Sequence, residues 1–190
     1  MPTQPVELIQ RTIALSQHEA AHWVVAVASG FHAQEIKLEV QSLEAHRGKA
    51  NTTFDARFET IEEMRVVVRK RVVIKLAGAM GEAIDRGRRE VNGQAAHLIL
   101  EDGDTGSGQD YAVARELTML LHNSTPLCPG FSSRDLLIEL LADAFHLVTL
   151  NMKAICDLAD ALTLKVLTGK GVGEVCRDEI DQLHLYCELP

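Results

Sequence analysis

The apolar positions of the first thirty residues follow the spacing of a helix. From about Pro5 to Ser29, residues Leu8, Ile9, Ile13, Leu15, Ala21, Val24, Val25 and Ala28 recur every three to four positions, and Gly30 is a natural stop. The period then changes to two. Ile36, Leu38 and Val40 alternate with Glu35, Lys37, Glu39 and Gln41, which predicts a half-buried strand. The stretch Glu44 to Gly48 reads as a turn and Ala50 to Phe54 as a returning strand, giving a small antiparallel ribbon. Thr60 and Glu63 have the spacing of a capping box, and open a helix predicted to run to about Arg86. Gly78 and Gly81 fall inside it, and each costs about 1 kcal/mol relative to alanine. Close packing against another backbone is the expected reason for them.

Residues 87–108 are polar and glycine-rich, and read as the main irregular segment. A helix is predicted over about Gln109 to His122, then a loop with Pro126, Pro129 and Gly130. Ser132 and Ser133 precede one long apolar-periodic helix predicted to about Leu167, and a last short one is predicted over about Val172 to His184. The 190 residues are expected to form one domain, mainly α with a small β ribbon (an α+β class).

Composition narrows the function classes. Aromatic residues are only 4% of the chain, so the core must be aliphatic. A formal charge of −8 argues against a nucleic-acid partner, which needs a basic surface to displace counterions. The one basic run, Arg65 to Lys75, is interleaved with valines and reads as an amphipathic helix with a solvated face; the lesser reading is an anion or partner contact. The cysteines at 128, 156, 176 and 187 have no C-x-x-C spacing. No signal peptide or membrane-spanning run is visible, so a cytoplasmic setting without membrane contact is expected.

The most informative chemistry lies inside the first helix, at His18-Glu19-Ala20-Ala21-His22. Histidines four apart share one helix face and can ligate one zinc ion, with the intervening glutamate beside it as a base for bound water. A chance match to H-E-x-x-H in a chain with eight histidines is the bland alternative. A catalytic zinc takes a third protein ligand and leaves the fourth position open. The residues by themselves leave that ligand undecided among His97, Glu101, Asp102, Asp104, Asp110 and Glu116.

Four segments, taken in order, resemble the FtsH family of zinc peptidases. Ser16 to His22 is similar to the family's H-E-A-G-H zinc helix, and Leu76-Ala77-Gly78 through Glu82 to its L-A-G helix. Thr105-Gly106-Ser107-Gly108-Gln109-Asp110, followed by Ala112, Ala114 and Arg115, is similar to its T-G-A-S-N-D-x-x-x-A segment. Leu158 to Leu162, Leu167 and Glu179-Ile180 resemble its closing pattern. The resemblance implies a zincin-like helical peptidase domain with Asp110 as the third zinc ligand. The alternative for Asp110 is a helix-N-terminal acid paired with Ser107. Glu19 then becomes the general base of a zinc endopeptidase acting on peptides or unfolded proteins.

Three departures bear on this expectation. There is no phosphate-binding G-x-x-x-x-G-K-[ST] motif and no membrane anchor, so cleavage is expected to be ATP-independent unless a separate ATPase partner delivers substrate; a homo-oligomer fits the family's ring-forming habit. Ala21 stands where the family has glycine, and its methyl is expected to crowd a neighbouring helix. The segment between Glu82 and Asp110 is longer than in the family and reads as a lid or a loop. A peptide adding alongside Ile36 to Val40 is the expected mode of substrate binding. The competing functions are a proteolytically silent zinc-containing binding or regulatory module and a metal-free helical interaction protein.

Overall fold

A computed structural model describes residues 6–53, 57–102, 106–125, 130–183, 185 and 187. Of the described residues 67% are helical, joined by small antiparallel sheets. The first helix, α1 (Val6–Ala28), is the central element: Ala20, Ala21, Val24, Val25 and Ala26 have no exposed surface. It lies against α2 (Ile61–Glu82), α6 (Met152–Thr168) and the strands β1 (His32–Val40) and β2 (His46–Thr53). Thr60 caps α2 as its spacing predicts, its hydroxyl accepting the Glu63 N–H at 3.2 Å.

The ribbon is one strand larger than the sequence pattern suggests. β1 is the centre of a three-stranded sheet of order β2-β1-β5, in which β5 (Val172–Val175) pairs antiparallel with Ile36 to Glu39. This segment was expected to start the last helix. Its Gly173 and Val175 alternate inward, and only Arg177–Gln182 is helical (α7), opened by Cys176 with Glu179. Gly171, at φ 94°, turns the chain from α6 into β5, and a Cβ there would stand 2.6 Å from the Val40 carbonyl oxygen. Because both edges of β1 are bonded, a peptide cannot add alongside Ile36 to Val40; among the described residues the sheet's outer edges belong to β2 and β5, and β2 is the one that lines the cleft described below. β2 itself starts at His46, so Arg47 and Gly48 are strand residues and the turn ends earlier than predicted; Phe54 lies outside the described residues.

The stretch expected to be irregular carries regular structure. α2 ends at Glu82, and a short hairpin of β3 (Ile84–Asp85) and β4 (Glu90–Val91) follows. Asn92 then caps α3 (Gly93–Glu101), its side chain accepting the Ala95 N–H at 3.0 Å. Ala96 and Leu100 bury this helix against α2 and α4 (Gly106–Ser124). The single long helix predicted to Leu167 is two, α5 (Ser133–Leu150) and α6, broken at buried Asn151. Its side-chain amide and its backbone N–H both donate to the Leu147 carbonyl, at 3.0 and 3.1 Å, ending one helix before its own carbonyl starts the next. Pro126, Pro129 and Cys128 lie outside the described residues; Cys156, Cys176 and Cys187 are free thiols. Among the described residues no helix is long and apolar enough to cross a membrane.

Candidate metal centre

Helix α1 presents His18 and His22 from one face, with ring centroids 4.7 Å apart and the rings nearly perpendicular. α4 brings Asp110 to them. Asp110 Oδ2 is 2.7 Å from His22 Nε2 and 3.6 Å from His18 Nε2, and the two Nε2 atoms are 3.1 Å apart. Among the described residues this is the group of imidazoles, thiols and carboxylates that converges, its ligand atoms all within 4.8 Å of one another. The other candidates do not join it. His97 pairs with Glu101 on the exposed face of α3, Asp102 ends that helix on the surface, and Glu116 is exposed on α4; Asp104 lies outside the described residues.

What surrounds the rings fixes which nitrogen faces the centre. His22 Nδ1 is 2.7 Å from the Ile74 carbonyl, which only accepts, so Nδ1 carries the proton and Nε2 keeps its lone pair. His18 Nδ1 likewise donates to Glu82 Oε2 at 3.1 Å, and Ser107 adds a weak hydroxyl contact to the same carboxylate at 3.4 Å. Glu82 Oε1 holds Arg11 at 2.5 Å. Asp110 is shared in the same way, with Oδ1 on the Lys75 ammonium at 2.5 Å and Oδ2 turned to the imidazoles. Such outer contacts set ring orientation and ligand basicity in metal sites.

Two lone-pair nitrogens and a carboxylate oxygen this close need a cation among them. Two Zn–N bonds of about 2.0–2.1 Å at a tetrahedral angle set nitrogens roughly 3.3 Å apart. The observed spacings of 2.7, 3.1 and 3.6 Å bracket that value, so the donor set fits a three-ligand zinc. Without a metal, a proton takes this role. Burial would pull the His18 imidazole down, but the carboxylates of Asp110, Glu82 and Glu19 push it up to about 10. Burial would raise Glu82, yet His18 and Arg11 hold it at about 2, and Asp110 is held well below the usual carboxylate range by both imidazoles and Lys75.

No protein-family model matches the sequence, and no curated protein matches it either. The reading therefore rests on residues and geometry. Glu19 lies in the wall of a cleft of about 600 Å³ whose lining also holds His18, His22 and Asp110 on one side and β2 on the other. Its carboxylate rests against the backbone of Gly48, and it makes no hydrogen bond or ion pair among the described residues. It is thus available to a water or a substrate.

Several residues of α2 were not assigned to the site from the sequence, and Gly78, expected to pack against backbone, packs against the imidazoles. Gly78 clears the space at the Nε2 atoms, since a Cβ there would stand 2.5 Å from His22 Nε2 and 2.6 Å from His18 Nε2. Close backbone packing explains Gly81 instead, where a Cβ would meet the Gln17 carbonyl oxygen at 2.6 Å. The Ala21 methyl, expected to crowd a neighbour, points at that same glycine and is accommodated by it. The signal was present: Lys75, Gly78 and Glu82 recur at three and four positions, one face of α2 turned to the H-E-x-x-H face of α1. Of the segment between Glu82 and Asp110, residues 83–102 form the hairpin and α3 away from the cleft, whereas Ser107 and Gln109 at the start of α4 line it.

Proposed function

We propose that this chain is a zinc-dependent endopeptidase with a zincin-like helical domain of the FtsH type. The convergence of His18 Nε2, His22 Nε2 and Asp110 Oδ2 beside Glu19, which has no bonded partner among the described residues, is the observation that carries this reading. The residues that would hold zinc are His18, His22 and Asp110. Zinc, when bound, supplies a water acidified to a pKa near 7 and a Lewis acid for the peptide carbonyl. Glu19 accepts a proton from the attacking water and returns it to the leaving amine. Glu82 and the Ile74 carbonyl keep both Nδ1 protons in place, so the imidazoles stay oriented through the cycle.

The peptide is placed along the free edge of β2, with its main chain bonded to strand groups and the bond to be cut beside Gly48 and Glu19. A side chain at position 48 would displace Glu19, which accounts for glycine in mid-strand. The test is metal content with proteolysis. Wild type should carry about one zinc per chain and cleave an unfolded protein such as casein. Glu19→Gln should keep the zinc and lose at least about 100-fold in rate, whereas His22→Ala should lose the metal. A metal-free wild type overturns the zinc centre, and zinc-loaded protein without cleavage would make it a binding or regulatory module instead.

A further inference from the structure

The basic run on α2 is a row of cations with different fates. Arg65 bonds Glu62 at 2.9 Å, Arg69 bonds Asp143 at 2.8 Å, and Lys70 donates to the Ser29 carbonyl at 2.9 Å. Lys75 holds Asp110. Arg71 differs. Among the described residues its guanidinium has one hydrogen bond, to the Thr52 hydroxyl at 3.1 Å, and no carboxylate partner. It is half-buried and lines the same cleft as Glu19. A half-buried guanidinium with most of its five N–H donors unclaimed is matched to a planar anion, which it can bind through two parallel hydrogen bonds.

Its position sets where on a substrate that anion must lie. Arg71 is seven residues before Gly78 on α2, about 10 Å along the axis at 1.5 Å per residue. An extended peptide spans that distance in about three residues. β2 gives a slightly longer measure: Gly48, against Glu19, and Thr52, against Arg71, are four residues apart on the inward face of the strand, about 13 Å. Arg71 therefore lies along the peptide's path, short of the reacting bond.

We propose that Arg71 is a specificity residue that receives a carboxylate of the bound peptide, an acidic side chain or a chain end, about three to four residues from the bond to be cut. This rests on the peptidase reading of the neighbouring site. The chain's formal charge of −8 gives acidic peptides no long-range attraction, so the preference comes from this contact at close range. Arg71→Gln keeps a donor for Thr52 and removes the charge, which separates anion binding from a merely structural tie between α2 and β2.

Binding is measured apart from cleavage, by fluorescence anisotropy on zinc-loaded Glu19→Gln protein. The probes are labelled, C-terminally amidated peptides of alanine and serine carrying one Asp or one Asn, and an acid-free peptide with a free C-terminus. The Asp peptide, the free-end peptide or both should bind about tenfold tighter than the amidated Asn peptide. The ratio should fall to about one when Arg71→Gln is added, with zinc content and melting temperature retained. Which probe gains distinguishes a side-chain from a terminal carboxylate. Equal binding of all three peptides, or a ratio unchanged by Arg71→Gln, overturns the proposal. Casein cleavage by wild type without any carboxylate preference removes this inference and leaves the peptidase; preference without cleavage removes the peptidase and leaves the Arg71 site.

Discussion

Replacing Gly78 by alanine tests the metal centre without touching a ligand. The new Cβ would stand 2.5 and 2.6 Å from the Nε2 atoms of His22 and His18. Non-bonded heavy atoms normally approach no closer than about 3.5 Å. Each ring must then retreat by about 0.9 Å, whereas metal–ligand distances hold to within about 0.2 Å. Both imidazoles leave bonding range together. Loss of an outer partner alone costs roughly 10–100-fold in metal affinity, so this change should cost at least about 100-fold. The assay is competition with a chromophoric chelator, alongside zinc content of the purified protein. Gly81→Ala is the control. It meets the Ala21 methyl and the Gln17 carbonyl rather than an imidazole, so it should cost about 1–3 kcal/mol in stability and leave zinc affinity unchanged. At roughly 2–4 °C per kcal/mol, its melting point should fall by several degrees. Gly78→Ala protein that holds one zinc with wild-type affinity would refute the convergence of the two imidazoles on that point.

Three other expectations follow from the same geometry. Gly48→Ala should push the Glu19 carboxylate aside, lowering the cleavage rate by about tenfold or more with zinc retained; an unchanged rate would remove Gly48 from the site. In metal-free protein, the Glu82 carboxyl at about 2 lies below its ordinary 4.5, so its stabilisation is complete above about pH 4.5 and is lost as pH falls towards 2. That contribution is about 3 kcal/mol, and urea melts at several pH values should show Glu82→Gln losing it and flattening this part of the profile. The His18 imidazole at about 10 is protonated in metal-free protein at pH 8, so zinc binding there should release about one proton. Calorimetry in buffers of different ionisation enthalpy counts that proton, and a count of zero contradicts the His18–Asp110–Glu82 clamp.

Much of the fold and part of the site were legible along the chain, for a physical reason. Periodicity records burial of one face, so α1, β1 and the capped start of α2 could be read directly. His18, Glu19 and His22 sit within two turns of one helix, and helix geometry alone puts both imidazoles on one side. What periodicity does not record is the partner. Asn151 interrupts a pattern that stays apolar on both sides, because its amide competes for a carbonyl, a choice made locally and invisible to the period. Val172–Val175 is a strand because β1 has a free edge for it, a fact about a residue stretch 133 to 139 positions earlier.

The H-E-x-x-H segment, then, was determined by sequence: two candidate nitrogen ligands and a proposed base in a fixed order on a buried helix. The candidate third ligand was not, since Asp110 was one acid among several until α4 carried it to within 2.7 Å of His22. The same holds for Gly78, Glu82, Lys75 and Arg71, whose roles depend on which face of α2 meets α1 and β2. Local geometry fixes groups three or four residues apart; bringing together groups separated by 19 to 88 residues is the work of core packing, and only the tertiary structure decided it.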